Sequence, residues 1–193
     1  MGKQVLVIAG PTGSGESTIT KEIIKKFPIF TRLVTATTRE PRLNEKDKVD
    51  YYFFSEDSFK KEVTKGNILE HTFVPGRSVY YGTYKLDLDK KLSEGFNIIV
   101  NPDVVGARYY KEHHNAVTIF IKTESIDILK DRLVKRDPSI SGEELAGRLK
   151  AAKYELDNEE DFYDYVIINA EGQLENTVKE VEEILKKEEY RLK

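Results

Sequence analysis

The chain has 193 residues, enough for one domain with a substantial core and room for inserted subdomains. Charged residues make up 34 % but nearly cancel, for a formal net charge of -3, which argues against a nucleic-acid binder with its strongly basic surface. There is no cysteine for disulfides or thiolate metal sites, no apolar signal segment after Met1-Gly2, and no run near the roughly 20 residues of a membrane span. The expectation is a cytoplasmic protein without nucleic-acid or membrane partners.

Val5-Leu6-Val7-Ile8 is short, apolar and β-branched, and predicts a buried parallel strand. Ile19, Ile23, Ile24 and Phe27 recur at helical spacing, so a helix follows, ending near Pro28. Between strand and helix, Gly10 and Gly15 stand at the G-x-x-x-x-G spacing of a phosphate-cradling loop. Without Cβ atoms the loop amides can wrap phosphate oxygens, and the helix N-terminus adds a favourable field. Its candidate nucleotide ligands are Gly10, Thr12, Gly13, Ser14, Gly15, Ser17 and Thr18. Ser17 stands where such loops use a hydroxyl to hold Mg²⁺. Position 16 breaks the pattern, because the motif asks for lysine and this chain has Glu16.

Thr31 to Thr35 reads as a short strand, and residues 36 to 50 as a long polar loop carrying Arg39, Pro41 and Arg42. Tyr51 to Phe54 reads as a strand, with Ser55 as N-cap of a helix from Glu56 to Lys65. Asn67 to Val74 is another strand, Pro75-Gly76 a turn, and Tyr80-Tyr81 the returning strand. These short strands predict a small mixed or antiparallel insert over residues 36–83. Thr83 is the expected cap of a helix running to Glu94, with Gly95 as its stop. Strands at Phe96 to Val100 and Val117 to Ile121 follow. Helices are expected at Ser125 to Val134 and Gly142 to about Asp161, then a strand at Tyr165 to Ile168 and a closing helix at Leu174 to Leu185. Strands separated by helices predict an α/β fold, a mainly parallel sheet with helices on both faces.

Three further groups carry chemistry. Arg39 and Arg42, three apart in a proline-stiffened loop, can converge on one dianion through forked guanidinium donors. Tyr51 and Tyr81 offer hydroxyls to phosphate, and Glu70, on a strand, can accept the N1-H and exocyclic amine of guanine. Read singly, each is an ordinary surface or core residue. The histidines are read as structural: His113-His114 at a helix end, and His71 lining the insert.

In register along the chain, these motifs resemble the guanylate kinase family over nearly its whole length. The family's Thr-Thr-Arg-x-Pro-Arg-x-x-Glu run is Thr37 to Glu45, and its Asp-Tyr-x-Phe is Asp50 to Phe53. Leu-Glu is Leu69-Glu70, Tyr-Gly-Thr is Tyr81-Gly82-Thr83, and Arg-Leu-x-x-Arg is Arg132 to Arg136, with Arg148 and Asn169 beyond. The resemblance implies a P-loop NTPase-type core (1–35, 84–130, 161–193), a GMP-binding insert (36–83) and a helical lid (131–160). It implies transfer of a phosphoryl group from ATP to GMP or dGMP with Mg²⁺, by a monomer or homodimer. Arg39, Arg42, Tyr51 and Tyr81 would hold the GMP phosphate, while Thr35, Glu70 and Thr83 read guanine, supported by Asn101 and Asp103. Arg132, Arg136 and Arg148 would neutralise the transferring group, Asn169 would lie near adenine, and Ser17, with Asp103, would serve the metal.

Two departures bear on activity. Glu16 removes the attraction of a lysine and can add a repulsion, each about 4 kcal/mol at ~4 Å for an effective dielectric near 20, before screening. Asn101 stands where the family has the first of two aspartates. Together they leave a second expectation, a non-catalytic module of the same fold that binds GMP or a phosphorylated protein segment. Milder departures are Asn44 and Lys48, where glycines are usual, and Asp137-Pro138.

Overall fold

The computed structural model describes residues 2–74 and 78–193; the expected Pro75-Gly76 turn lies outside them. Its main sheet has five parallel strands: β1 (Val5–Ala9), β2 (Phe30–Arg32), β7 (Asn97–Val100), β8 (Val117–Lys122) and β9 (Tyr165–Ile168), in the order β2-β7-β1-β8-β9. β1 is central and wholly buried, so its residues alternate between two cores rather than between core and solvent. Leu6 and Ile8 join Ile19 and Ile23 of α1 (Glu16–Lys26) and Val181 and Leu185 of α7 (Leu174–Lys187). Val5, Val7 and Ala9 join Leu88 of α3 (Lys85–Ser93) and Ala107 and Tyr110 of α4 (Val104–His114) on the other side. Helices therefore cover both faces, as the crossover rule requires. Because α1 and α4 leave on opposite faces, a crevice opens at the C-terminal ends of β1 and β7.

A second sheet, in the order β4-β3-β6-β5, is built from β3 (Ala36–Thr37), β4 (Tyr52–Phe53), β5 (Ile68–Val74) and β6 (Val79–Tyr84). β3 pairs β4 in parallel and β6 antiparallel, so this sheet is mixed. Phe59 of α2 (Glu56–Thr64) packs on it with Ala36 and Ile68, and Ser55 caps α2 by accepting the Ser58 amide. Helices α5 (Ile126–Arg136) and α6 (Gly142–Asn158) form a third small core of Leu129, Leu133 and Ala152. Ser125 and Ser141 cap them. No helix among the described residues is long and apolar enough to cross a membrane.

Three expectations are corrected. Thr83 does not cap α3: the cap position is Tyr84, without a side-chain bond, and the Thr83 hydroxyl is bonded to Glu70 instead. The strand expected at Thr31 to Thr35 ends at Arg32, because the chain there leaves β7; the Val34 amide bonds Asp87 and the Thr35 carbonyl accepts the Tyr52 amide. The long helix ends at Asn158, and Glu160–Phe162 form a separate 3-10 turn that carries the chain into β9. Gly95, at φ 81, stops α3 as expected.

Candidate nucleotide site

The loop after β1 needs its glycines for space as much as for angle. A Cβ on Gly10 (φ 154) would lie 2.1 Å from the Ile121 carbonyl, and one on Gly15 (φ 106) 2.3 Å from Asn169 Nδ2. The loop thus runs tightly over the ends of β8 and β9. Asn169 is buried and donates to the Ser14 carbonyl (2.7 Å), while its own oxygen accepts the Thr177 hydroxyl. Asn169 therefore braces the loop. Arg132 does similar work, donating to the carbonyls of Ser14 (3.2 Å) and Asn169 (2.9 Å) and pairing with Glu171.

Two cavities meet at the loop. The smaller, about 380 Å³, lies between the loop, Arg132 and residues 169–172, with Leu174 also in its lining. The larger, about 630 Å³, runs from the loop across to the face of the second sheet. Glu16, Ser17 and Arg136 line both. Of the residues the sequence singled out, Thr35, Arg39, Arg42, Tyr51, Glu70, Tyr81, Asn101, Asp103 and Arg148 come together around the larger cavity. Arg132 and Asn169 fall in the smaller one, and Thr83 lines neither.

One wall of the larger cavity is cationic. Arg39 makes a two-pronged ion pair with Glu45 (2.8 and 2.9 Å), and Glu45 also accepts the Arg42 amide (2.8 Å). Burial works against the Arg39 charge, but the bonds to Glu45 and Tyr81 outweigh it and hold its pKa above the usual value. The Arg39 guanidinium lies 5.4 Å from the Tyr51 ring centroid, and the Tyr51 and Tyr81 rings meet edge-on at 6.0 Å. Arg136 reaches the loop, within 3.4 Å of the Thr12 hydroxyl. Burial, then the neighbouring Arg148 and Arg42, push its pKa down, with Glu16 opposing. Arg148 in turn pairs with Glu144 of α6 (2.7 Å).

Around Glu70 the larger cavity is built on a hydroxyl relay. Tyr110 and Thr83 hydroxyls lie 2.6 Å apart, and Thr83 donates to Glu70 Oε1 at 2.7 Å. Burial raises the Glu70 pKa to about 7, with Asp103 adding to the rise and Thr83 opposing it. Asp103 itself caps α4 by accepting the Gly106 amide (3.0 Å).

The two departures have structural counterparts. Asn101 donates to the Ile8 carbonyl (2.8 Å) and to the Thr20 hydroxyl (3.1 Å), tying β7 to β1 and α1. A carboxylate could not donate there. Glu16 opens α1 as a half-buried side chain. Burial, then Glu155 of α6, raise its pKa to about 8, against the pull of Arg136. Lys48, where a glycine is usual, holds φ 62 and is the strained member of the mild departures. Sequence reading gave no role to Glu155, Glu159 and Tyr163, which line the larger cavity, or to Glu171 beside Arg132. Only the seven-residue spacing of Arg148 and Glu155 on α6, with Glu159 just past its end, held a signal.

For Mg²⁺, no cluster of three or more His, Cys, Asp or Glu able to hold a metal exists among the described residues. The exposed Ser17 hydroxyl at the mouth of both cavities suits a hard cation that brings its other oxygen ligands with a phosphate.

Comparison with known proteins agrees with this geometry. A family model described as guanylate kinase matches residues 2–188. The chain is 39 % identical over 189 residues to a guanylate kinase of Clostridium perfringens, covering 97 % of this chain and 85 % of that protein. It is 40 % identical over 190 residues to one of Helicobacter pylori, covering 98 % and 89 %. The crystal structure of guanylate kinase from Anaplasma phagocytophilum superposes with a TM-score of 0.75 at 26 % identity, covering 99 % and 89 %. A glycine loop braced from the end of β9, an arginine-walled cavity and a half-buried glutamate at its far end thus accompany that likeness, and the chain belongs to the guanylate kinase family.

Proposed function

We propose that this protein transfers the terminal phosphoryl group of ATP to GMP, giving ADP and GDP, with GMP in the larger cavity and the ATP adenosine in the smaller. The observation that carries this reading is the shared lining: Arg136 and Ser17 border both cavities, where two phosphate chains would meet. Arg39 and Arg42, held by Glu45, grip the acceptor phosphate with Tyr51 and Tyr81, and an ionised Glu70 accepts the guanine N1-H and amine. Arg136 and Arg148 neutralise the transferring group. Phosphoryl transfer asks the protein for in-line positioning and charge neutralisation rather than covalent help. Bound Mg²⁺, held by Ser17, would supply charge for the donor phosphates. Helices α5 and α6 act as the lid that excludes water.

Glu16 then sets the rate. With a pKa near 8 it is mostly protonated at neutral pH, so it forfeits the lysine's attraction without adding a full repulsion. Coupled turnover of ATP with GMP should be measured for the wild type beside Glu16→Lys. We expect the lysine variant to be at least tenfold faster, equal to about 1.4 kcal/mol of barrier. Equal, fast turnover by both would remove position 16 as the limit. Binding of GMP with turnover by neither protein would favour the second reading, a GMP-holding module, which Glu16 supports.

A further inference from the structure

β5 places alternate residues Glu70, Thr72 and Val74 on the wall of the larger cavity. Glu70 has a role in the proposed site and Thr72 has none. Thr72 pairs directly with Tyr81 of β6, so both side chains leave the sheet on the same face. Thr72 therefore stands between the base-reading Glu70 and the phosphate-binding Tyr81.

The Thr72 hydroxyl oxygen is buried and has no hydrogen-bond partner. Among the described residues, the other buried side-chain atoms in that condition are Ser14 Oγ, in the phosphate loop, and Arg148 Nε, on the same cavity wall. Thr72 and Arg148 both line the larger cavity, whereas Ser14 is enclosed in the loop and borders neither cavity. A buried hydroxyl without a partner is costly, and valine would fill the same space on a strand without that cost. The hydroxyl therefore lacks a partner that the ligand can bring.

We propose that Thr72 is an acceptor-binding residue whose hydroxyl hydrogen-bonds the nucleoside part of bound GMP. Its short side chain stays near the sheet surface, whereas the phosphate is held farther out by the long arms of Tyr81, Tyr51 and Arg39. This inference rests on GMP being the acceptor.

The test compares wild type, Thr72→Val and Thr72→Ser by GMP titration, KM for GMP and for ATP, and unliganded melting temperature. We expect Thr72→Val to weaken GMP binding roughly three- to tenfold, the range of one net hydrogen bond. Its KM for ATP should be unchanged and its unliganded melting temperature equal or higher, because the orphan is gone. Thr72→Ser should keep GMP binding within about twofold of wild type. Wild-type GMP affinity in Thr72→Val overturns the proposal. So does a loss of GMP affinity that comes with a lower melting temperature and a weaker ATP response, which marks a structural role. If the wild type itself does not bind GMP, the acceptor reading fails first and takes this inference with it.

Discussion

Glu16 shows how much a single side chain depends on its surroundings. A carboxylate at a helix N-terminus is ordinarily favoured by the helix dipole. Here burial and Glu155 across the cleft overcome that preference and raise the pKa from 4.5 to about 8. The native state therefore binds a proton that the unfolded chain releases near pH 4.5, so stability falls as pH rises from there through about 8. Glu70 and Glu155, each raised to about 7, push in the same direction. We expect the melting temperature of the wild type to drop between pH 5 and pH 8, and that of Glu16→Gln to drop less. A pH series of thermal melts checks this; parallel curves would show that Glu16 does not carry the linkage. The substitution itself was plain in the sequence. The charge state it would adopt was not, since that depends on Glu155 and Arg136, more than a hundred residues away.

At the scale of elements, the instructive residue is Asn101. Reading the sequence against the family pattern suggests a lost charge at the base or metal. The structure instead directs its amide to the Ile8 carbonyl and the Thr20 hydroxyl, joining the end of β7 to the strand and helix that flank the phosphate loop. Asn101→Asp would set a carboxylate against a carbonyl and should cost about 1–3 kcal/mol of stability. Denaturant unfolding of the variant measures it, and an unchanged midpoint would show that the tie is dispensable. The elements themselves were largely legible, because caps such as Ser55 and apolar periodicities are local signals. Thr83 misled for the opposite reason. Its position before a helix looks like a cap, but the half-buried Glu70 next to it competes for the hydroxyl and wins.

Across the whole molecule, Arg42, Arg136 and Arg148 reach the larger cavity from separate parts of the chain, and Arg136 touches the phosphate loop as well. Arg148 pairs with Glu144 and Glu16 partly offsets the charge of Arg136, and a bound anion would relieve the repulsion that remains. We expect GMP and ADP together to raise the melting temperature by less than the sum of their separate shifts, since both cavities share Arg136 and its charge can be neutralised only once. Saturation at about 100 times the dissociation constant is worth roughly 2.7 kcal/mol per independent site. Thermal shifts with each ligand and with the pair check this, and an additive or larger shift for the pair would show that Arg136 is not shared in this way.

The sequence by itself determined the α/β order, the phosphate loop, the arginine pair and the family, because these are carried by short motifs and periodicities. It also exposed the missing lysine. Only the tertiary structure decided which candidates share a cavity, that Asn169 and Arg132 brace the loop, and that Glu45 pairs with the Arg39 side chain and accepts the Arg42 amide. It alone placed Glu155 opposite Glu16 and left the Thr72 hydroxyl without a partner. Those facts depend on burial and on groups distant in the chain, and neither quantity is written in any local stretch of residues.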